Sequence, residues 1–119
     1  MKTKNYPRAL MPQIRKSNLK EAPHPYKKMN MLVRRIKPSQ SERIPELHNK
    51  ARSMYRKLIV RPIIVDRDNY IVNGHHRYDV AQELGMKKVK VIKVFVTLEE
   101  LMEYYEKTIW HILDAYMRS

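Results

Sequence analysis

Blocks of hydrophobic and polar positions along the chain predict a small domain that mixes strands and helices. Residues 29–36, 58–65, 70–72 and 89–96 are rich in β-branched, aromatic or other apolar side chains, which is typical of strands. Three other segments, at 39–58, 75–84 and 98–116, repeat apolar residues at helical spacing. The pattern predicts an α/β (α+β) fold with a short mixed sheet flanked by helices.

End signals support the three helices. Ser39 with Glu42, and Thr97 with Glu100, fit capping boxes at helix starts. Gly85 suits the left-handed residue that ends the second helix. The third helix is long for a small domain, and Trp110 lies off its apolar stripe. Trp110 is therefore expected to pack on the N-terminal segment or on a second subunit, and the second alternative predicts a homodimer through the C-terminal helix.

Basic charge is concentrated towards the N-terminus of the 119-residue chain, whose net charge is +13. Residues 1–37 hold eleven Lys or Arg and one acidic residue, whereas residues 38–119 hold fourteen and eleven. Four of the seven prolines precede residue 30, so residues 1–30 predict an extended basic arm and residues 31–119 the folded domain. The expected partner is a polyanion, and DNA is expected rather than RNA. The alternatives are that the charge keeps the protein soluble, or that the arm binds an acidic protein surface.

The cations of this arm are the candidate nucleic-acid-binding residues. They are Lys2, Lys4, Arg8, Arg15, Lys16, Lys20, Lys27 and Lys28. Tyr6 and Tyr26 lie between them and can stack on unpaired bases, or can anchor the arm to the core instead.

Composition excludes several classes of protein. The chain has no cysteine, which excludes disulfides, thiolate metal sites and a thiol nucleophile. No apolar run approaches the roughly 20 residues of a membrane span, and the basic N-terminus lacks the apolar core of a signal peptide. A soluble, cytoplasmic protein with no membrane partner is expected.

The stretch from Asp66 to Gly85 carries the candidate chemistry. Residues 66–69 predict a tight turn, a short strand follows, and Asn73-Gly74 lies directly before a helix. A glycine turn between a strand and a helix directs backbone N–H groups and the positive end of the helix dipole at one point, which favours a phosphate. The candidate phosphate- or nucleotide-binding residues are Asn73, Gly74, His75, His76 and Arg77.

Three of these residues are also candidate catalytic residues. Arg77 can stabilise negative charge on a phosphate, and His75 or His76 can move a proton near pH 7. The structural alternative for His76 is a neutral imidazole that donates to a backbone carbonyl. The candidate ligands for Mg²⁺ or Mn²⁺ are Asp66, Asp68 and Asp79, with a turn cap and a surface ion pair as the alternative reading.

The motif Gly74-His75-His76-Arg77-Tyr78 resembles the equivalent turn of the ParB/sulfiredoxin superfamily. Residues 62–65 before it, and residues 84–85 and 89–92 after it, extend the resemblance over about 36–94. ParB proteins carry Gly-Glu-Arg-Arg there, and sulfiredoxins carry Gly-Cys-His-Arg. His75 stands where the sulfiredoxin cysteine would be, which argues against sulfiredoxin chemistry.

The resemblance implies three functions. The first is a metal-assisted, DNA-binding ParB-like nuclease of the phage or mobile-element type, acting in a bacterial host cell. The second is a switch that binds CTP or ATP, because ParB proteins bind CTP at this turn. The third is a non-enzymatic module that binds nucleic acid or a host protein. A chain of this length is not expected to carry, in the usual arrangement, the separate helix-turn-helix domain of ParB proteins.

Overall fold

A computed structural model describes residues 4–12, 24–58 and 60–104 of the protein. Its helices and strands follow one another in the order expected for an α+β domain. In chain order they are a 3-10 helix Arg8–Leu10, β1 Tyr26–Leu32, a second 3-10 helix Val33–Arg35, α1 Pro45–Arg56, β2 Ile63–Val65, β3 Ile71–Asn73, α2 His75–Glu83, β4 Lys88–Val94, and α3, which is helical over residues 98–104.

The four strands form one mixed sheet in the order β1-β4-β2-β3. β4 pairs antiparallel with β1 and parallel with β2, and β3 pairs antiparallel with β2. The parallel pair requires a crossover, which β3 and α2 provide. The predicted mixed sheet flanked by helices is confirmed.

Apolar residues pack on both faces of the sheet, because successive strand residues point to opposite sides. One core contains Ile63, Val65, Val89 and Val91 together with Ala51, Tyr55, Tyr78, Val80 and Ala81. The other core contains Ile64, Val72, Ile92 and Val94 together with Met11, Leu98 and Leu101. The segment 69–75, which carries the candidate site, is therefore fixed between two packed layers.

The first strand differs from its predicted range of 29–36. β1 begins at Tyr26 and ends at Leu32, where the chain enters the 3-10 helix. Pairing with all seven residues of β4 draws residues 26–28 into the sheet. Lys27 and Lys28 are therefore strand residues and not part of an extended arm.

The predicted cap at Ser39 is wrong. α1 begins at Pro45, with Ile44 as its N-cap, and the proline suits this first helical turn. Ser39 is buried, and its hydroxyl donates to the carbonyl of Ile71. The cap at Thr97 is confirmed, since its Oγ1 accepts from the amide of Glu100 at 3.1 Å.

Two other strands are shorter than predicted. β2 starts only at Ile63, directly after Pro62, which has no amide to offer a neighbouring strand. Leu58, expected in this strand, is exposed and has a positive φ of 58°. β4 ends at Val94, two residues early.

The N-terminal segment, over residues 4–12, is docked on the domain. The amide of Tyr6 donates to the carbonyl of Ser39 at 2.7 Å, and Asn5 Oδ1 accepts from the amide of Ser41 at 2.9 Å. Met11 is buried in the second core. This part of the predicted arm therefore packs on the folded domain. Trp110 and the predicted dimer contact lie outside the described residues.

A candidate phosphate-binding pocket

Gly74 forms the turn between β3 and α2. It is the N-cap of α2, and its φ of 114° is a conformation that residues with a side chain rarely adopt. A Cβ atom at this position would lie 2.9 Å from Arg77 Nη2 and 3.2 Å from Ile63 Cγ1. Glycine therefore permits both the turn and the close approach of the Arg77 guanidinium.

The first turn of α2 begins with backbone amides that the helix itself leaves without an acceptor. No side chain caps it, and it contains no acidic residue. The helical hydrogen bonds begin with the amide of Tyr78, which donates to the carbonyl of Gly74 at 2.9 Å. The amides of His75, His76 and Arg77 precede that bond and have no acceptor within the helix. The positive end of the helix dipole is thus open to an anion.

A pocket, here called the phosphate pocket, opens at this helix start. Its walls come from residues 72–77, from α1 with the segment after it, and from the docked N-terminal segment. The cations that line it are Arg8, Lys50, Arg61 and Arg77, and the apolar residues include Met11, Leu47, Ala51 and Met54. No Asp or Glu is among its described lining residues. A cationic floor beside an apolar wall suits a ligand with both phosphates and a ring.

Arg77 has an unusual electrostatic environment. Burial lowers its pKa, the neighbouring Arg61 lowers the pKa further, and the Tyr55 hydroxyl acts in the opposite direction. None of the ion pairs between described residues includes Arg77. A largely buried guanidinium without a carboxylate costs free energy, which a bound anion would offset.

His75 is a structural residue. Its side chain is buried, and its Nε2 accepts a hydrogen bond from the amide of Ser39 at 3.0 Å. Burial, with smaller contributions from Arg43 and His76, lowers the pKa of His75 to about 3. The imidazole is therefore neutral at pH 7, and its Nε2 lone pair is engaged by the Ser39 amide; the catalytic role of His75 stays a prediction.

His76 also accepts a hydrogen bond from a backbone amide, further along the segment that leads into α1. Its Nε2 accepts from the amide of Ile44, the N-cap of α1, at 2.9 Å. Burial, followed by Arg43, lowers the pKa of His76. The structural alternative predicted donation to a carbonyl, whereas the imidazole accepts from an amide; the catalytic role of His76 stays a prediction. Together the two histidines hold the segment that leads into α1.

Because protonation of these imidazoles breaks both hydrogen bonds, we expect stability to fall on acidification. The pKa of His75 drops from about 6.5 in the unfolded chain to about 3 in the folded chain. Its contribution is thus complete above pH 6.5 and is lost progressively between 6.5 and 3.

Urea unfolding at pH 7 and at pH 5 measures this loss. His75→Gln is expected to show a smaller difference between the two pH values than the wild type. A double variant with His76→Gln should show a smaller difference still. Equal pH dependence in all three proteins would contradict the structural role of these histidines.

The three candidate metal ligands do not form one site. Asp66 is buried and accepts from the amides of Asp68, Tyr70 and Leu98 at 2.8–2.9 Å. Asp79 pairs with Arg43, and Asp68 is exposed. Across residues 4–12, 24–58 and 60–104, no three His, Cys, Asp or Glu side chains are arranged to hold a metal ion. The turn cap and the ion pair are the roles found.

The candidate nucleic-acid-binding cations are divided among several places. Lys4 pairs with Glu99 and lies 4.2 Å from the ring centroid of Tyr70, so its charge is already compensated. Arg8 lines the phosphate pocket, and Lys27 and Lys28 belong to β1. The remaining four, Lys2, Arg15, Lys16 and Lys20, lie outside the described residues.

Sequence reasoning missed part of the pocket wall. Lys50 and Met54 lie one helical turn apart on α1, a spacing visible in the sequence, but only tertiary packing places them beside Arg77. Arg61 lies in an irregular segment without a pattern. Arg8 reaches the pocket because the N-terminal segment is docked.

Comparison with known proteins decides the family. The family model described as the ParB N-terminal domain matches residues 13–106, most of the chain. The chain belongs to the ParB N-terminal domain family. The resemblance to the ParB/sulfiredoxin superfamily is thereby confirmed. No curated protein matches the chain significantly.

Solved ParB N-domains share this fold. The C2221 form of a Pnob8-like ParB-N domain matches with a TM-score of 0.60 and 19% identity over 76% of this chain and 38% of that chain. A pNOB8-like ParB N-domain matches with a TM-score of 0.59 and 20% identity over 76% and 35%. This ParB N-terminal domain therefore spans well under half the length of those two chains.

A third solved structure contains a nucleotide analogue. It is the C-terminally truncated chromosome-partitioning protein ParB from Caulobacter crescentus, complexed with CTP-gamma-S. The TM-score is 0.53 and the identity 19%, over 68% of this chain and 52% of that chain. At such identities, the likeness shows a common fold.

None of the helices in the described part of the chain has both the length and the apolar character of a membrane span.

Proposed function

We propose that this ParB N-terminal domain binds a nucleoside triphosphate, with CTP as the first candidate, in the phosphate pocket, and that it acts in association with DNA. One observation carries the proposal. The uncapped start of α2 and the Arg77 guanidinium open into a pocket that holds further cations and, among its described lining residues, no carboxylate.

The first turn of α2 supplies the contacts for the phosphates. The amides of His75, His76 and Arg77 can donate to phosphate oxygens, and the Arg77 guanidinium can form charge-assisted hydrogen bonds worth about 2 kcal/mol. Lys50 and Arg61, which also line the pocket, add positive charge. Arg8 adds charge from the docked segment, so bound ligand would tie that segment to the domain.

The apolar part of the pocket is the proposed place for the base. Met11, Leu47 and Met54 line the pocket together with the cations, which leaves a surface for a ring to contact. The CTP analogue in the Caulobacter crescentus ParB supports this class of ligand. Association with DNA is supported by the family and by the excess of positive charge.

The metal-assisted nuclease predicted from the sequence has less support. Each histidine of the turn already accepts an amide at Nε2, and the described residues contain no cluster of metal ligands. The nuclease activity stays a prediction. Incubation of plasmid DNA with the protein and Mg²⁺ or Mn²⁺ tests it. Metal-dependent cleavage that Arg77→Ala abolishes would favour the nuclease.

Calorimetric titration with CTP, UTP, ATP and GTP tests the proposed pocket. The wild type is expected to bind CTP, and Arg77→Ala to bind it about 30-fold more weakly, which corresponds to the loss of about 2 kcal/mol. Arg56→Ala is the matched control, because Arg56 is exposed and is not among the residues that line the pocket. A folded wild type that binds no nucleotide, or an unchanged affinity in Arg77→Ala, would reject the proposal.

A further inference from the structure

A second cationic surface lies on the β1–β4 pair, and its cations are not among the residues that line the phosphate pocket. Residues 24–37 contain five Lys or Arg and residues 86–96 contain four, with no Asp or Glu in either segment. The two strands pair antiparallel along their full lengths, from Tyr26 with Val94 to Leu32 with Lys88. We call this the β1–β4 surface, and its cations are Lys27, Lys28, Arg34, Arg35, Lys87, Lys88, Lys90 and Lys93.

The charge of the β1–β4 surface is not compensated within the described part of the chain. All of its cations are exposed except Lys93, which is half-buried. None of the ion pairs between described residues includes any of them. Elsewhere in the domain Lys4, Arg43 and Arg52 are each paired with a carboxylate. The excess positive charge of the described residues is thus concentrated here and in the phosphate pocket.

The strand register places like charges opposite each other. Lys27 is the direct cross-strand partner of Lys93. Directly opposed residues have Cβ atoms about 5 Å apart, and like charges in such pairs are destabilising. Among the described residues no carboxylate forms an ion pair with either lysine, so an anion between them would relieve the repulsion.

The opposite face of the same pair carries a row of donors. Asn30 is the cross-strand partner of Lys90, and Lys28 and Lys88 share that face because they are two residues away along their strands. Lys28, Asn30 and Lys90 line a shallow groove with Val60 and Pro62. Lysines two residues apart on a strand are spaced by about 6.6 Å, so their flexible ends can reach successive phosphates of a nucleic-acid strand.

We propose that one face of the β1–β4 surface, the face that carries Lys28, Lys88 and Lys90, binds the phosphate backbone of DNA without reading the bases. Lysine is depleted at protein–protein interfaces, whereas unpaired lysines contacting phosphates supply most non-specific binding to DNA. A nucleic acid therefore fits this surface better than an acidic protein. The inference rests on the association with DNA in the proposed function, and it does not depend on nucleotide binding in the phosphate pocket.

Fluorescence anisotropy with a labelled random-sequence duplex, over a series of salt concentrations, tests the proposal. For the double variant Lys88→Gln/Lys90→Gln, we expect the affinity at about 0.1 M salt to fall by about tenfold or more. The slope of log affinity against log salt should become shallower by about two, one for each lost phosphate contact. Affinity for CTP should stay at the wild-type value, which also reports an intact fold.

The matched control is Arg56→Gln/Lys57→Gln, which removes the same charge from exposed positions at the end of α1. It is expected to keep the wild-type slope. An equal loss of DNA affinity in the control variant would show that binding depends only on net charge. An unchanged salt slope in the Lys88/Lys90 variant would show that DNA binds at another surface. Either result overturns the proposal, as would wild-type protein that binds poly-aspartate as tightly as DNA. A wild type that binds DNA but not CTP would reject only the nucleotide pocket.

Discussion

Gly74→Ala is expected to abolish measurable nucleotide binding and to destabilise the domain at the same time. The added Cβ would lie 2.9 Å from Arg77 Nη2 and 3.1 Å from Nε, so the guanidinium must leave its place at the helix start. The φ of 114° adds backbone strain, and the expected cost is about 1–3 kcal/mol of unfolding free energy. Calorimetric titration with CTP and urea unfolding measure the two effects.

Gly85→Ala is the control that separates the effect of backbone strain from the effect of displacing Arg77. Gly85 also has a positive φ, of 68°, but a Cβ there would meet no atom within 4 Å. We expect Gly85→Ala to cost about 1–2 kcal/mol through strain alone and to keep wild-type nucleotide affinity. If both alanine variants bind CTP as the wild type does, the close contact between Gly74 and Arg77 has no role in binding.

Asp66→Ala is expected to produce the largest loss of stability, about 3–5 kcal/mol. Its carboxylate is fully buried and accepts from three backbone amides, those of Asp68, Tyr70 and Leu98. The first two close the turn between β2 and β3, and the third fixes the start of α3. Alanine would leave these donors without their acceptor, and urea unfolding measures the cost.

Asp68→Ala is the control for Asp66, because it removes a carboxylate from the same turn. Asp68 is exposed, and its side chain approaches Arg67 only at 3.7 Å. Surface ion pairs contribute between 0 and about 1 kcal/mol, so little change is expected. A similar loss of stability in both variants would contradict the assignment of Asp66 as a buried structural acceptor.

The turn at residues 74–77 could be predicted because its signals are local. A glycine between a strand and a helix sets the backbone geometry, and an arginine three residues later returns to the helix start. The order of helices and strands follows from local periodicity in the same way. Gly85, predicted as a left-handed helix end, has the expected positive φ.

The roles of the two histidines could not be read from local sequence. Each role depends on an amide more than 30 residues away, at Ser39 for His75 and at Ile44 for His76. Burial then lowers the pKa of both imidazoles, and no pattern near the motif reports that burial. A histidine suited to proton transfer and one that accepts an amide are identical in sequence.

The contacts of the aspartates and the bounds of the first strand could not be predicted from the sequence, for related reasons. In the sequence Asp66 suits a metal ligand or a turn cap, whereas in the structure its carboxylate accepts from the amide of Leu98, which lies 32 residues away. The proline-rich composition before residue 30 indicated an arm, whereas pairing with β4 places residues 26–30 in the sheet. Sheet pairing depends on long-range contacts, so a segment's composition alone does not determine it.

The central claim is that an anion binds at the open start of α2. Backbone amide NMR during titration with CTP tests it most directly, because the proposed donors are the amides themselves. We predict that the largest shift changes fall on His75, His76 and Arg77, with smaller changes at Lys50 and Arg61. Binding of CTP with these amide signals unmoved, and with changes confined to another part of the domain, would contradict the claim.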